Sequence, residues 1–203
     1  MPAEVYDEAA LKGRLSRLSK RAKTAFAAAC AESLVPLQRR YWSRTGLGRD
    51  ALLRDILDSA WDVASGGNTD VRSLDAEAAA FGPSDDAEWF FDMGYAQNGA
   101  AAVAYAIRTW LTDDAQDATW AARQVQEAAE YSITQPDLVP GEILVRNPSD
   151  VPSAADIDSS PAMRSAVTFL DRALEVCETG PSSWEELQRL ARTVGGSWAS
   201  TFR

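Results

Sequence analysis

The chain of 203 residues contains no histidine. Histidine is the commonest general base and the commonest zinc ligand, and every Ser-His or Cys-His catalytic dyad requires it. The chain also has no glycine-rich phosphate loop and no cysteines at metal-binding spacing. The sequence therefore predicts no catalytic residue, no metal site and no cofactor, and it points away from an enzyme.

Cysteine and long hydrophobic runs are equally scarce. Cys30 and Cys177 each fall on the apolar face of a predicted helix, so we expect buried structural thiols, although a disulfide between them is possible. No segment approaches the ~20 apolar residues that span a bilayer. Residues 1–14 are acidic where a secretory signal is basic, and no apolar segment follows. We therefore predict a cytoplasmic protein without a membrane span.

What the chain does contain is helical periodicity. Apolar residues recur every three or four positions through most of the sequence, and the length and the hydrophobic fraction of 46% suit one domain, residues 1–203. From Tyr95 to Tyr131, two alanine-rich helices are joined by a short turn at residues 112–114. We predict a single all-α bundle of seven to eight helices that wrap this central antiparallel αα-hairpin.

Residues that cap or break helices divide the rest of the chain. Pro36 should kink or split the second helix, because proline lacks the backbone N–H and clashes with the preceding turn. Ser183 and Glu186 have the spacing of a capping box, which predicts the start of the last helix. Gly195 and Gly196 predict its end, and residues 197–203 are expected to form a tail.

Residues 133–160 predict one long loop that contains proline. Because it holds four prolines, Gly141 and Asn147, this segment is predicted to form no helix. Residues 142–146 are the one β-like run, but a single short strand has no evident partner, so we expect an extended, docked loop. Loops of this length are often functional or mobile.

The net charge of −10 is unevenly distributed. Residues 11–54 hold eleven Lys and Arg against Glu32 and Asp50, whereas residues 55–203 hold nine basic and 25 acidic residues. The interpretation we favour is that the basic helices lie against the acidic remainder of the same fold. The alternative is that residues 12–54 bind DNA or anionic lipid. The overall negative charge repels such polyanions at long range.

A second alternative is a magnesium-dependent nucleotide hydrolase that uses helix carboxylates. Its candidate ligands are Asp55, Asp58 and Asp62 on the third helix and Glu127 and Glu130 on the second hairpin helix. A metal site in a bundle needs carboxylates that point inward. On a helical projection all five lie opposite the apolar face of their helix, which predicts solvated acidic surfaces instead.

The densest aromatic cluster lies in an acidic setting. Trp89 and the two phenylalanines after it are flanked by Asp85, Asp86, Glu88 and Asp92. These aromatic residues either plug the end of the bundle or, with their acidic rim, form a partner-binding patch. Our leading hypothesis is a non-enzymatic, acidic protein-binding module, analogous to immunity proteins that neutralise a basic toxin.

Four segments carry a family resemblance: RAKTAFAAACAESLVPLQRRYWSRTG, LRDILDSAWD, QNGAAAVAYAIRTWLTDDAQDATWAARQVQEAAE and LQRLARTVGG. On these segments the chain resembles a bacterial all-helical family catalogued as domain of unknown function 416, and the likeness covers most of the chain. The resemblance implies an all-α cytosolic fold, and it brings no catalytic residues to this sequence.

Overall fold

A computed structural model describes residues 6–46, 50–83, 91–134 and 151–202. All regular secondary structure in these ranges is helical, so the predicted all-α class is confirmed. The α-helices are α1 (Glu8–Leu15), α2 (Lys20–Thr45), α3 (Asp50–Ser65), α4 (Leu74–Ala79), α5 (Met93–Thr112), α6 (Ala115–Thr134), α7 (Ala154–Asp158), α8 (Pro161–Thr179) and α9 (Trp184–Thr201). A one-turn 3₁₀ helix, Pro181–Ser183, precedes α9.

Helix α2 packs against the predicted hairpin at the centre of the bundle. Every residue from Ala22 to Leu34 is buried, and α2 packs against α3, α5, α6, α8 and α9. A helix that is apolar on all sides lies inside a fold, and alanine lets neighbouring helices approach closely on each side. Helix α2 therefore shares the centre of the bundle with the hairpin, because small alanine side chains let its neighbours approach closely on several sides.

The hairpin itself is confirmed as two long helices. Helices α5 and α6 pack together and are joined by Asp113 and Asp114, with Asp113 in a left-handed conformation at a φ of 60°. The Thr112 hydroxyl donates to the Asp117 carboxylate at 2.7 Å, which ties the end of α5 to the first turn of α6. The hairpin covers one side of α2, and α3, α8 and α9 pack around the others.

Two positions that were predicted to interrupt helices lie within continuous helices. Helix α2 continues through Pro36 as one element of 26 residues. Helix α9 continues through Gly195 and Gly196 to Thr201, so these glycines do not end it. A Cβ atom at position 195 would overlap the backbone carbonyl oxygen of Ser33, whereas one at position 196 would meet nothing. Gly195 therefore serves the close approach of α9 to α2.

Side-chain capping begins several of the helices. Ser19 and Ser160 accept hydrogen bonds from the backbone at the starts of α2 and α8, as N-caps do. Ser183 makes no side-chain cap hydrogen bond, so the capping box predicted for α9 is wrong. The 3₁₀ turn before α9 already directs the chain into the helix.

The predicted loop at residues 133–160 contains a short helix. Ser153 and Asp156 form a capping box at the start of α7, which stabilises one turn of helix between prolines. This raises the number of helices in the described ranges above the predicted seven to eight. Residues 135–150, including the β-like run at 142–146, lie outside the described residues.

The two cysteines are free and buried, as predicted. Burial raises the pKa of both thiols, because the thiolate loses its hydration in the core. Within the four described ranges, no helix is both long enough and apolar enough to cross a membrane.

Candidate functional site

The acidic and aromatic cluster leads directly into α5. Asp85, Asp86, Glu88 and Trp89 lie outside the described residues. Phe91 and Asp92, which follow them, are described and pack against the bundle at the first turn of α5. The structure therefore shows how the carboxyl end of this acidic segment is attached.

Asp92 is an anchor within the fold. Its side chain is only 2% exposed, and its carboxylate pairs with Arg40 at 2.7 Å and with Arg44 at 3.2 Å. Both arginines belong to the last turns of α2. Asp92 occupies the N-cap position of α5 but makes no capping hydrogen bond there, because its carboxylate turns toward α2 instead. It therefore holds α5 on α2, whereas the sequence placed it in an exposed acidic rim.

Phe91 provides a second attachment. Its ring packs against the rings of Tyr95 and Tyr131, with centroids 5.8 and 5.0 Å away, and its carbonyl accepts a hydrogen bond from the Tyr131 hydroxyl at 2.8 Å. A Cβ atom at Gly94 would overlap the Tyr131 ring, so glycine at this position permits the contact. Burial raises the pKa of Tyr131. This aromatic cluster ties the acidic segment to α6.

The interface between α2 and α5 near Asp92 contains polar atoms without hydrogen bonds. Within the described residues these are Gln38 Nε2, Trp42 Nε1, Tyr95 Oη and Asp92 Oδ1, all buried. The contact of Asp92 Oδ1 with Arg40 is an ion pair that lacks hydrogen-bond geometry. Each unmet group typically costs about 1–3 kcal/mol. The Asp92 centre is therefore charge-paired but incompletely hydrogen-bonded.

A second buried carboxylate, Glu32, was not identified from sequence. It is 3% exposed and accepts hydrogen bonds from Arg54 Nη1 at 2.8 and 2.9 Å, Arg192 Nε at 3.0 Å and Trp61 Nε1 at 3.1 Å. Burial alone raises the pKa of Glu32, but the hydrogen bonds and the positive charge of Arg54 outweigh it, so the pKa lies below its ordinary value. Glu32 joins α2, α3 and α9.

The signal for this centre was present in the sequence. Glu32 is a carboxylate within an alanine-rich, otherwise apolar stretch of α2, and a buried carboxylate requires cationic partners. The sequence alone does not say which arginines these are, because Arg192 lies 160 residues away.

Other cations of residues 11–54 also face acidic residues of the same fold. The Lys23 ammonium is buried and lies 2.8 Å from the Asp113 carboxylate. Arg14 pairs with Glu178 at 3.0 Å. Together with Arg40 and Arg44 at Asp92, these pairs place cations of residues 11–54 against carboxylates of residues 55–203, as our favoured interpretation of the charge distribution predicts. The Glu32 centre differs, because Glu32 belongs to residues 11–54 and Arg192 to the rest of the chain.

The carboxylates of α3 point to solvent. Asp55, Asp58 and Asp62 are all exposed. Asp58 pairs with Arg54, and Asp62 accepts a hydrogen bond from the Thr69 hydroxyl at 2.6 Å. This is the outward orientation that the helical projection predicts.

On α6, Glu127 is exposed and Glu130 is partly buried. Desolvation raises the pKa of Glu127, and Arg123 partly opposes this. Among the described residues, no three Asp, Glu or Cys side chains converge on a position that could hold a metal ion.

These features describe an all-α bundle organised around a buried alanine-rich helix, in which Glu32 and Asp92 are buried carboxylates paired with arginines. The chain is similar to a solved structure, a DUF416 family protein from Shewanella baltica OS155, with a TM-score of 0.68 and 17% identity. The likeness covers 92% of this chain and 93% of that one, and it establishes the fold. It agrees with the resemblance stated from the sequence. The chain matches no protein-family model and no curated protein.

Proposed function

We propose that the protein is a non-enzymatic binding module for a basic protein partner, with an immunity-like inhibitory role. Its contact surface is the acidic and aromatic segment that contains Asp85, Asp86, Glu88 and Trp89. The observation that supports this site is its attachment. Phe91 and Asp92 fix the carboxyl end of the segment to α2, α5 and α6, so the segment is attached to the rigid bundle directly beside the proposed contact residues.

The distribution of charge supports a basic partner. Cations that could attract a polyanion, such as Lys23, Arg40 and Arg54, are paired with carboxylates of the same chain. By contrast, Asp55 and Glu185 are exposed and form no ion pair with a described residue. An excess of outward negative charge steers a cationic protein toward the surface and accelerates association.

The test compares two charge reversals of equal size. The variant Asp85→Lys/Asp86→Lys changes the proposed surface, and Asp55→Lys/Glu185→Lys makes the same change in net charge elsewhere. Each tagged protein is used to capture partners from the cell that produces it, and captured proteins are quantified by mass spectrometry. We expect a basic protein to be captured by the wild type and by the α3/α9 control, but to be lost from the first variant.

Equal loss from both variants would show attraction by bulk charge alone and would refute the assigned surface. Phosphate release from nucleotides with added Mg²⁺ or Mn²⁺, if Glu127→Gln abolished it, would refute the binding-module proposal and favour the hydrolase. Affinity for DNA or anionic vesicles that falls steeply with salt would favour the basic helices as the binding surface.

A further inference from the structure

A surface cavity of about 440 Å³ opens above the Glu32 centre. It lies between α2, α3 and α9, away from the anchor at Asp92. The residues that line it are Glu32, Val35, Pro36, Arg39, Arg54, Asp58 and Arg192.

The cavity concentrates positive charge on an acidic protein. Three guanidinium groups face two carboxylates, and both carboxylates already accept hydrogen bonds from Arg54. The Glu32 carboxylate, at the floor of the cavity, also accepts hydrogen bonds from Arg192 and from the buried Trp61. Its negative charge is therefore compensated. One positive charge is left in excess, and it lies at Arg39.

Two arginines have donors available to a ligand. Arg39 is exposed and forms no ion pair or hydrogen bond with a described residue. Arg192 bonds Glu32 through Nε, which leaves its two terminal amino groups without a partner among the described residues. Because Glu32 holds the Arg192 guanidinium in place, part of the ordering cost of binding is already met.

The other residues that line the cavity indicate the chemical character of the ligand. Val35 and Pro36 present partly exposed apolar surface beside the arginines. Pro36 has no N–H, so the carbonyl of Glu32, four residues earlier, lacks its helical donor. The cavity thus offers guanidinium donors for an oxyanion next to a small apolar wall.

We propose that this cavity binds the phosphate group of a small phosphorylated molecule. Arg39 and Arg192 donate to the phosphate oxygens, since the guanidinium fork matches phosphate geometry in a way that an ammonium group does not. Arg54 and Glu32 hold the floor, and Val35 and Pro36 contact the organic part of the ligand. This site uses none of the residues of the proposed partner surface and is independent of it.

The experiment is isothermal titration calorimetry of the full chain with inorganic phosphate and with phenyl phosphate, at constant ionic strength in a phosphate-free buffer. We expect 1:1 saturable binding with a dissociation constant of about 1 mM or tighter. Phenyl phosphate should bind severalfold more tightly than inorganic phosphate, because its ring covers Val35 and Pro36. Titration with sodium acetate should give much weaker binding than phosphate.

Substitutions of single arginines distinguish binding in this cavity from diffuse attraction of anions to the protein surface. Arg39→Ala removes an exposed side chain, so folding should be unchanged, and it should weaken phosphate binding about tenfold or more. Arg189→Ala is the matched control, because Arg189 is exposed on α9 and lies outside the cavity lining. Arg192→Lys keeps the charge but removes the fork, and it should also weaken binding if circular dichroism shows an intact fold.

Equal weakening by Arg39→Ala and Arg189→Ala would overturn the proposal, since it would indicate diffuse attraction of anions. Absence of saturable heat with both phosphate probes would overturn it as well. Tighter binding of acetate than of phosphate would show a carboxylate site in place of the proposed phosphate site.

Discussion

The buried carboxylates of Glu32 and Asp92 have the same charge and nearly the same burial, and each faces two arginines. They differ in hydrogen bonding. Donors from α3 and α9 satisfy both oxygens of Glu32, whereas Asp92 Oδ1 makes no hydrogen bond with a described residue. Ion pairing and hydrogen-bond satisfaction are therefore separate properties, and stability depends on both.

The helices explain this difference. At Glu32, α9 approaches α2 closely enough to require glycine at position 195, and this brings Arg192 onto the carboxylate. At Asp92, both arginines come from the last turns of α2, and they hold the carboxyl end of the acidic segment. We infer that the Glu32 centre holds the fold together and that the Asp92 centre positions a surface.

The largest expected effect is that of Glu32→Gln. The change leaves Arg54, Arg192 and the Trp61 N–H without the carboxylate they share, and it should lower the free energy of unfolding by about 3 kcal/mol. Urea denaturation followed by circular dichroism measures this value. A loss no larger than that of Asp92→Asn would remove the distinction between the two centres.

The next effect concerns the glycines at the two interfaces. Gly195→Ala places a Cβ atom against the Ser33 carbonyl and should lower the free energy of unfolding by about 2 kcal/mol. Gly99→Ala at the α2–α5 interface meets the Gln38 side chain at 3.0 Å, which can move, so its cost should be smaller.

Gly196→Ala is the matched control for the effect of helix propensity. A Cβ atom at this position meets nothing, and alanine should raise stability by about 0.5–1 kcal/mol because it favours helix over glycine. Thermal melts of the three variants provide the order. If Gly195→Ala proved as stable as Gly196→Ala, the close approach of α9 to α2 would be contradicted.

Asp92→Asn should have a smaller effect than Glu32→Gln, about 1 kcal/mol, because the native carboxylate is already incompletely hydrogen-bonded and Arg44 reaches solvent. Its main consequence should be local. Hydrogen–deuterium exchange should rise at the start of α5 and remain unchanged in the first half of α2. An equal rise in exchange along the whole of α2 would show that Asp92 stabilises the core and not only the start of α5.

The pH dependence gives the smallest and most specific effect. The pKa of folded Glu32 lies below its unfolded value of about 4.3, so its stabilising contribution is complete above that value and is lost as the pH falls through the folded pKa. The stability difference between wild type and Glu32→Gln should therefore be constant from about pH 5 to 8 and shrink below about pH 4. A difference that grew on acidification would reverse this assignment.

The sequence predicted the local features of this fold well where the cause is local. The turn of the hairpin and the outward direction of Asp55 and Glu127 depend on residues within one or two turns. The errors involve distant contacts. Gly195 looks like a helix stop until the Ser33 carbonyl is seen to lie against it.

The candidate sites follow the same division. The acidic segment that contains Asp85 and Trp89 was found from its composition, but the anchoring role of Asp92 requires the arginines of α2 in three dimensions. The Glu32 centre requires a partner 160 residues away, and no spacing rule connects the two.

The sequence by itself determined the helical class, the hairpin turn and the lack of histidine, because periodicity, turn residues and residue types act over a few residues. The tertiary structure decided which helix is central and which charges are buried. Alanine on every side of α2 permits close packing in all directions, so the arrangement of its neighbours depends on long-range contacts that a linear pattern does not contain.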